Sequence, residues 1–299
     1  MNKEKTVIAL GFFDGVHLGH GALLRRTREV AEALGAVPAA FTFDRPPKAV
    51  VTGAAVPLIN TVDDRIDLMR RLYGIVRVTA APFDHSMMTR SPESFLDLLR
   101  EAYGAVHLVA GHDYRFGHRN EGTPAFLQEY CARHGLGCDI IPRVEVDGIT
   151  VSSTHIRALL RAGEVAQAAR FLGHPHCLRQ TVCHGKRLGS AMGVPTVNLK
   201  PPEGVLLPAG GVYVSRAVTP EGQVLMGVTN VGTRPTVSDA PETWVETHLL
   251  SFSGDLYGQP LRLEFLRRVR SERRFDSLAA LRQQIGEDIA AAQAYFAQR

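Results

Sequence analysis

Several short stretches of this 299-residue chain hold the residue types that handle phosphate. In Gly11-Phe12-Phe13-Asp14-Gly15-Val16-His17-Leu18-Gly19-His20, two histidines stand three apart behind a pair of glycines. On the first turn of a helix, His17 and His20 share one face and both can donate to phosphate oxygens. Glycines allow close backbone approach, and a helix N-terminus attracts anions. A second stretch is Ser152-Ser153-Thr154-His155-Ile156-Arg157. Ser153 and Thr154 offer hydroxyls and backbone N–H groups at a helix start, and Arg157 adds a fixed cationic fork. An ordinary capping box would favour Glu at position 157.

The third stretch runs from His184 to Asn198. Gly185, Gly189 and Gly193 suit a loop whose backbone wraps phosphates. Thr196 and Asn198 fall on one face of the strand that follows Pro195, and both offer hard oxygens that suit Mg²⁺. The run is not a G-x-x-x-x-G-K-[ST] phosphate loop, because Gln180 replaces the first glycine and Arg187 the hydroxyl residue. The fourth is Val245-Glu246-Thr247-His248-Leu249, where Glu246 and His248 share a strand face. A glutamate in an apolar run is costly to bury unless it has a role there.

The elements that must position these residues change character in mid-chain. Up to about residue 172, short apolar runs alternate with helical patterns. Strands are expected at Thr6–Leu10, Val37–Phe43, Ile75–Ala80, Val106–Gly111 and Cys138–Val144. Helices are expected at Gly19–Gly35, Thr61–Gly74, Ser91–Gly104 and Thr123–Gly135, with Thr61, Ser91 and Thr123 as caps. Two short helices follow, Ser153–Ala162 and Glu164–Leu172. This is a parallel sheet with helices on both faces, whose ligands sit at the carboxyl ends of the strands. Beyond Gly173 the segments become strand-like and Gly/Pro-punctuated, reading as an antiparallel β-barrel or sandwich. A closing helix places Phe275, Leu278, Leu281, Ile285, Ile289, Ala292 and Phe296 on one stripe. The domains are 1–175 and 176–299.

Composition narrows the function. With 45% apolar and 21% charged residues the chain builds real cores, and its net charge of +4 is too slight to argue for nucleic acid. The four cysteines, 131, 138, 177 and 183, form no C-x-x-C pair. No apolar run is long enough to span a membrane. A cytoplasmic protein acting on small molecules is expected, with self-association left open.

Together with Gly111-His112-Asp113-Tyr114-Arg115-Phe116-Gly117, Asn230-Val231-Gly232-Thr233-Arg234-Pro235-Thr236 and the Glu246 strand, these motifs resemble the bacterial bifunctional riboflavin kinase/FAD synthetase family. The resemblance covers about residues 6–296. It implies a Rossmann-like nucleotidyltransferase domain that adenylylates FMN to FAD, and a β-barrel domain that phosphorylates riboflavin to FMN. Both would use ATP and Mg²⁺. His17 and His20 would then bind the ATP phosphates and the transition state, within a nucleotide site formed by Gly11, Phe12, Asp14 and Gly15. Ser153, Thr154 and Arg157 would hold the β- and γ-phosphates. Asp113 would face the nucleotide or its Mg²⁺, or else cap its own loop. Gly185, Gly189 and Gly193 would wrap phosphates in the kinase, Thr196 and Asn198 would ligate Mg²⁺, and Glu246 would be the general base.

His155, Ser190, Val194 and Val197 depart from the family pattern. They leave open a second reading, in which one module is active and the other is structural or senses flavin. The basic run Arg267, Arg268, Arg270, Arg273 and Arg274 reads first as a solvated surface and second as a phosphate or flavin contact.

Overall fold

The computed structural model describes residues 4–184, 195–234 and 242–298. Gly185, Gly189 and Gly193, with Ser190 and Val194, lie outside the described residues. By internal contacts the chain divides into two compact units, Met1–Ser153 and Thr154–Arg299.

The first unit runs β1 (Thr6–Leu10), α1 (Leu18–Leu34), β2 (Val37–Phe43), α2 (Pro47–Thr52), α3 (Val62–Tyr73), β3 (Arg77–Ala81), α4 (His85–Met88), α5 (Pro92–Tyr103), β4 (Ala105–Gly111), α6 (Pro124–Arg133) and β5 (Gly137–Ile141). A small antiparallel pair, β6 (Glu145–Val146) and β7 (Ile149–Thr150), follows. The main sheet is parallel, in the order β3-β2-β1-β4-β5. Every residue of β1 is buried, as a continuous apolar run must be when helices cover both faces. β2 lies on one side of β1 and β4 on the other, so chain direction across the sheet reverses there. That is where ligands enter open α/β sheets.

Local signals set the helix ends. Thr61, Ser91 and Thr123 each accept a backbone N–H three residues on, and Gly74 and Gly104 end their helices in the left-handed region. The sequence pattern missed α2, α4 and the β6–β7 pair, which are too short to show a period. It also carried the fifth strand to Val144, whereas β5 stops at Ile141.

In the second unit come α7 (Ser153–Ala162, its first residue closing the first unit), α8 (Val165–Leu172), β8 (His176–Cys183), β9 (Val197–Leu199), β10 (Gly211–Val218), β11 (Val224–Arg234), β12 (Glu242–Leu249), β13 (Pro260–Ser271) and α9 (Leu278–Ala297). The strands close a barrel in the order β10-β11-β12-β9-β8-β13, antiparallel throughout. Alternation sorts its faces. Tyr213, Ser215, Thr229, Thr247 and Phe265 are fully buried, and the Ser215, Thr229 and Thr247 hydroxyls bond in a chain at 2.6 and 2.8 Å. The alternate residues Val214 and Val228 pack with Ala292 and Tyr295 of α9.

Contacts group α7 and α8 with the barrel, although their sequence pattern continues that of the first half. The Ala209 N–H donates to Leu160 O, and Arg268 of β13 donates to Ala162 O. The closing helix differs from its expected stripe. Leu278 is 75% exposed, while Gln284 and Asp288 are buried. Polar residues take the covered face because arginines of the barrel lie beneath it.

Candidate active sites

The first site is a cleft of about 630 Å³ at the carboxyl ends of β1 and β4. Its phosphate-facing wall is the turn after β1. Three departures from ordinary backbone shape that turn: Phe13 (φ 58°), Gly15 (φ 86°) and Val16 (φ 42°). A β-branched residue at positive φ is strained, and such strain persists only where the surroundings over-determine it. Here Phe13 and Val16 are wholly buried in the core under α1.

His17 is the N-cap of α1, and its Nδ1 accepts the His20 N–H at 3.3 Å. The His20 ring stacks on that of His17 and meets Phe13 edge-on at 5.2 Å. Burial, then the neighbouring His17 and Arg65, hold the His20 pKa well below its usual value. His20 is therefore neutral at pH 7. Its Nδ1 is buried without a hydrogen-bond partner.

The expected residues do not all meet. Gly11, Phe12, His17, His20, Asp113 and Ser153 line the cleft. Asp113 is exposed at its mouth. Asp14 plays a different part. Its buried carboxylate accepts the Ile59 and Asn60 N–H groups at 2.9 and 3.3 Å. Its carbonyl accepts the Ser153 hydroxyl at 2.9 Å. Asp14 thus shapes the turn instead of lining the cleft, and Gly15 supplies the turn's conformation. Thr154, exposed, and Arg157, half-buried, stand on α7 in the second unit. His155 packs edge-on against Phe171.

The far wall of the cleft is aromatic. Phe43, Phe83, Phe95, Tyr114 and Phe116 line it, linked by contacts such as Phe43–Phe83 at 4.9 Å and Tyr114–Phe116 at 5.5 Å. One end of the cleft therefore suits phosphate and the other a flat ring system. Sequence reading quoted Tyr114 and Phe116 within one motif without giving them this role, and missed Phe43, Phe83 and Phe95, which come from β2, a separate loop and α5.

The second site is a cavity of about 310 Å³ between the outer barrel face and α9. The register explains its polar wall. Asn230 of β11 pairs with Glu246 of β12, and Glu246 pairs with Asn198 of β9. Directly paired residues present side chains on one face, so an amide, a carboxylate and a second amide form a row. His248 continues the Glu246 face, with its ring nitrogen 2.9 Å from Pro195 O. Thr196, Asn230, Glu246 and His248 line the cavity. The Asn198 Nδ2 donates to Thr196 O at 3.4 Å, which turns the nitrogen end of the amide toward that carbonyl. Beside it, the Cys183 thiol donates to Asn198 O at 3.3 Å.

Of the two expected Mg²⁺ ligands, Thr196 lines the cavity, while Asn198, buried beside Glu246 in the row, is not part of its lining. Hydroxyl and amide oxygens are hard ligands, and Mg²⁺ completes its sphere with phosphates and water. Among the described residues no cluster of three or more His, Cys, Asp or Glu could hold a metal.

The opposite wall is Leu281, Ile285 and Ile289 of α9. Part of the basic run anchors this helix, while Arg267, Arg273 and Arg274 are exposed. Arg270 makes a bidentate pair with the buried Asp288 at 2.8–3.2 Å. Arg273 bonds Gln284 and lies over Phe275, and Arg267 lies over Tyr295. Arg268 instead holds the end of α7 and Gly210 O.

Two family models match the chain: FAD synthetase over residues 1–155 and riboflavin kinase over residues 172–296. The bifunctional riboflavin kinase/FMN adenylyltransferase of Pseudomonas fluorescens is 37% identical over 294 residues, covering 96% of this chain and 92% of that protein. The protein of the same name from Bacillus subtilis is 32% identical, covering 98% and 93%. Among solved structures, a Streptococcus pneumoniae protein named as a macrolide-efflux protein superposes with a TM-score of 0.87 at 29% identity, covering 98% of this chain and 95% of that one. Among the described residues here, no helix is long and apolar enough to cross a membrane.

Proposed function

The chain belongs to the bifunctional riboflavin kinase/FMN adenylyltransferase family, and we propose that its two activities divide between its two cavities. It phosphorylates riboflavin with ATP to FMN and adenylylates FMN with ATP to FAD and pyrophosphate. The division proposed is 1–175 for adenylylation and 176–299 for the kinase. One observation carries it: each half has its own cavity with its own phosphate chemistry, stacked histidines in one and a Glu246 row in the other.

In the first cleft the FMN phosphate attacks the α-phosphorus of ATP in line and pyrophosphate leaves. No covalent enzyme intermediate is needed, so the protein's work is positioning and charge stabilisation. His17 and His20 donate to phosphate oxygens, with Gly11 and Phe12 offering backbone beside them. Ser153 holds the outer phosphates, and Asp113 faces the nucleotide or its Mg²⁺. The aromatic wall takes the flavin ring.

In the second cavity Glu246 accepts the proton of the riboflavin 5′-hydroxyl as that oxygen attacks the γ-phosphorus of ATP. Thr196 and Asn198 would hold Mg²⁺, which neutralises phosphate charge when bound, and Gly185, Gly189 and Gly193 would wrap the ATP phosphates. None of the four cysteines is in a disulfide, which suits work in a reducing cytoplasm.

Incubating the full chain with riboflavin, ATP and Mg²⁺ and separating the flavins tests this. FMN followed by FAD is expected. FMN that is never converted, even when supplied, refutes the adenylylation site. FAD made from supplied FMN, with none from riboflavin, refutes the kinase site.

A further inference from the structure

Arg65 lies next to the N-terminal end of α3, where the helix dipole disfavours a cation. It is nonetheless wholly buried. No carboxylate lies within ion-pair distance of it among the described residues. The Asp14 carboxylate is engaged by the Ile59 and Asn60 N–H groups. That of Asp44 is engaged by the Phe83 N–H and Arg45. Both aspartates act on Arg65 only through space. Its Nε has no partner at all. A buried guanidinium in this state is expensive, and folds do not keep one without compensation.

Its contacts lead to the cleft. Nη1 donates to Phe12 O and to Thr42 Oγ1, the latter at 3.0 Å, and Nη2 donates to Phe43 O at 3.0 Å. The guanidinium carbon stands 4.3 Å from the centre of the Phe12 ring. Thr42 donates in turn to the same Phe12 carbonyl at 2.9 Å. Phe12 and Phe43 line the cleft, and Phe12 directly precedes the positive-φ residue Phe13. Arg65 therefore ties the end of β1 to the end of β2 from behind the strained turn.

We infer that Arg65 is a positioning residue for adenylyl transfer, clamping the Phe12 carbonyl and the end of β2 so that the His17–His20 turn keeps its shape, and lending that turn a positive charge, balanced by Asp14 and Asp44 only through space, that an anionic substrate meets. The inference rests on the adenylylation reading of the first cleft. The groups that face His20 are His17 from its own turn, Arg65 from α3 and the Phe13 ring. Loss of the Arg65 charge therefore eases protonation of His20.

The test uses the full chain with Arg65→Gln and Arg65→Lys, following both reactions in each preparation. Riboflavin phosphorylation should be unchanged in both variants, as the control for a folded protein. Arg65→Gln should lower kcat/KM for FMN adenylylation by about 100-fold, the size of effect a slight misplacement causes. The acid limb of its pH profile should move to higher pH. Arg65→Lys keeps the charge but cannot span three acceptors. It should return the limb to its original place while losing about tenfold in kcat. A lower fraction of folded enzyme would reduce the rate without moving the limb. The inference is overturned if Arg65→Gln adenylylates normally, or if its limb stays in place. Should Arg65→Gln fail to fold, wild-type kcat in Arg65→Lys overturns it. Absence of adenylylation in the unaltered protein refutes instead the reading on which it rests.

Discussion

The rings of His17 and His20 lie nearly parallel, with centroids 3.6 Å apart and planes 12° apart. Two imidazoles so close cannot both be charged at modest cost. Burial, then His17 and Arg65, hold the His20 pKa well below its usual value, so His20 is neutral at pH 7. A neutral imidazole still donates one hydrogen bond to a phosphate oxygen.

His20→Ala should abolish FAD formation and spare FMN formation. Removing one preorganised donor of this kind costs about 10²–10³ in kcat. Because His20 protonates only well below 6.5, its titration should leave adenylylation flat across neutral pH. Separation of flavins over a pH series reads both effects. Equal loss of both reactions in a folded variant would contradict the division of sites.

Glu246→Gln should do the reverse. The amide keeps the shape of the Asn230–Glu246–Asn198 row but cannot take the proton. A loss of about 10²–10⁴ in riboflavin phosphorylation is expected, the usual size of a general-base effect. FAD formation from supplied FMN should be unaffected. Single-turnover phosphoryl transfer measures the loss directly, and retention of more than roughly a tenth of the rate would remove Glu246 as the base.

Legibility followed sequence distance. His17 and His20 were readable because strand, turn and helix start are contiguous, and a period of three fixes their shared face. Glu246 with His248 was readable from strand alternation. That Asn230 stands against Glu246 was not, because register is set by pairing between strands far apart in sequence. The family resemblance put Asp14 in the nucleotide site. Only the Ile59 and Asn60 N–H groups, 45 and 46 residues away, show that it shapes the turn. Arg65 was invisible because one arginine in an amphipathic helix carries no local sign of burial. The anchoring part of the arginine run was hidden for the same reason: the partners of Arg270 and Arg273, Asp288 and Gln284, break the apolar stripe that marks a covered helix face.

Asp288→Ala should loosen the wall of the second cavity. It leaves the Arg270 guanidinium, now held by two carboxylate oxygens, against a buried surface without its counter-charge. Breaking such a pair costs about 3 kcal/mol. The expected result is a lower melting temperature and a raised KM for riboflavin, since Leu281 and Ile285 of the same helix face the cavity. Adenylylation should be retained. An unchanged KM would mean that α9 holds its place without this pair.

His176 should make the stability of the second unit depend on pH. Its ring is 1% exposed, stacked on Phe265, and neither nitrogen makes a well-formed hydrogen bond. Burial chiefly, then His174, lower its pKa from 6.5 to about 4, opposed slightly by the Leu206 backbone. In the unfolded chain the same ring protonates near 6.5, so between about pH 6.5 and 4 the unfolded state binds the proton and the folded state does not. Stability from this group is therefore full above about 6.5, falls as pH drops through that window, and levels off below about 4. A shift of this size amounts to about 3 kcal/mol. His176→Leu removes the titration while keeping an apolar side chain against Phe265. Chemical denaturation of both proteins at steps from about pH 7.5 to 4 should show the unaltered chain losing stability relative to the variant across that window. Parallel curves would place the acid sensitivity elsewhere.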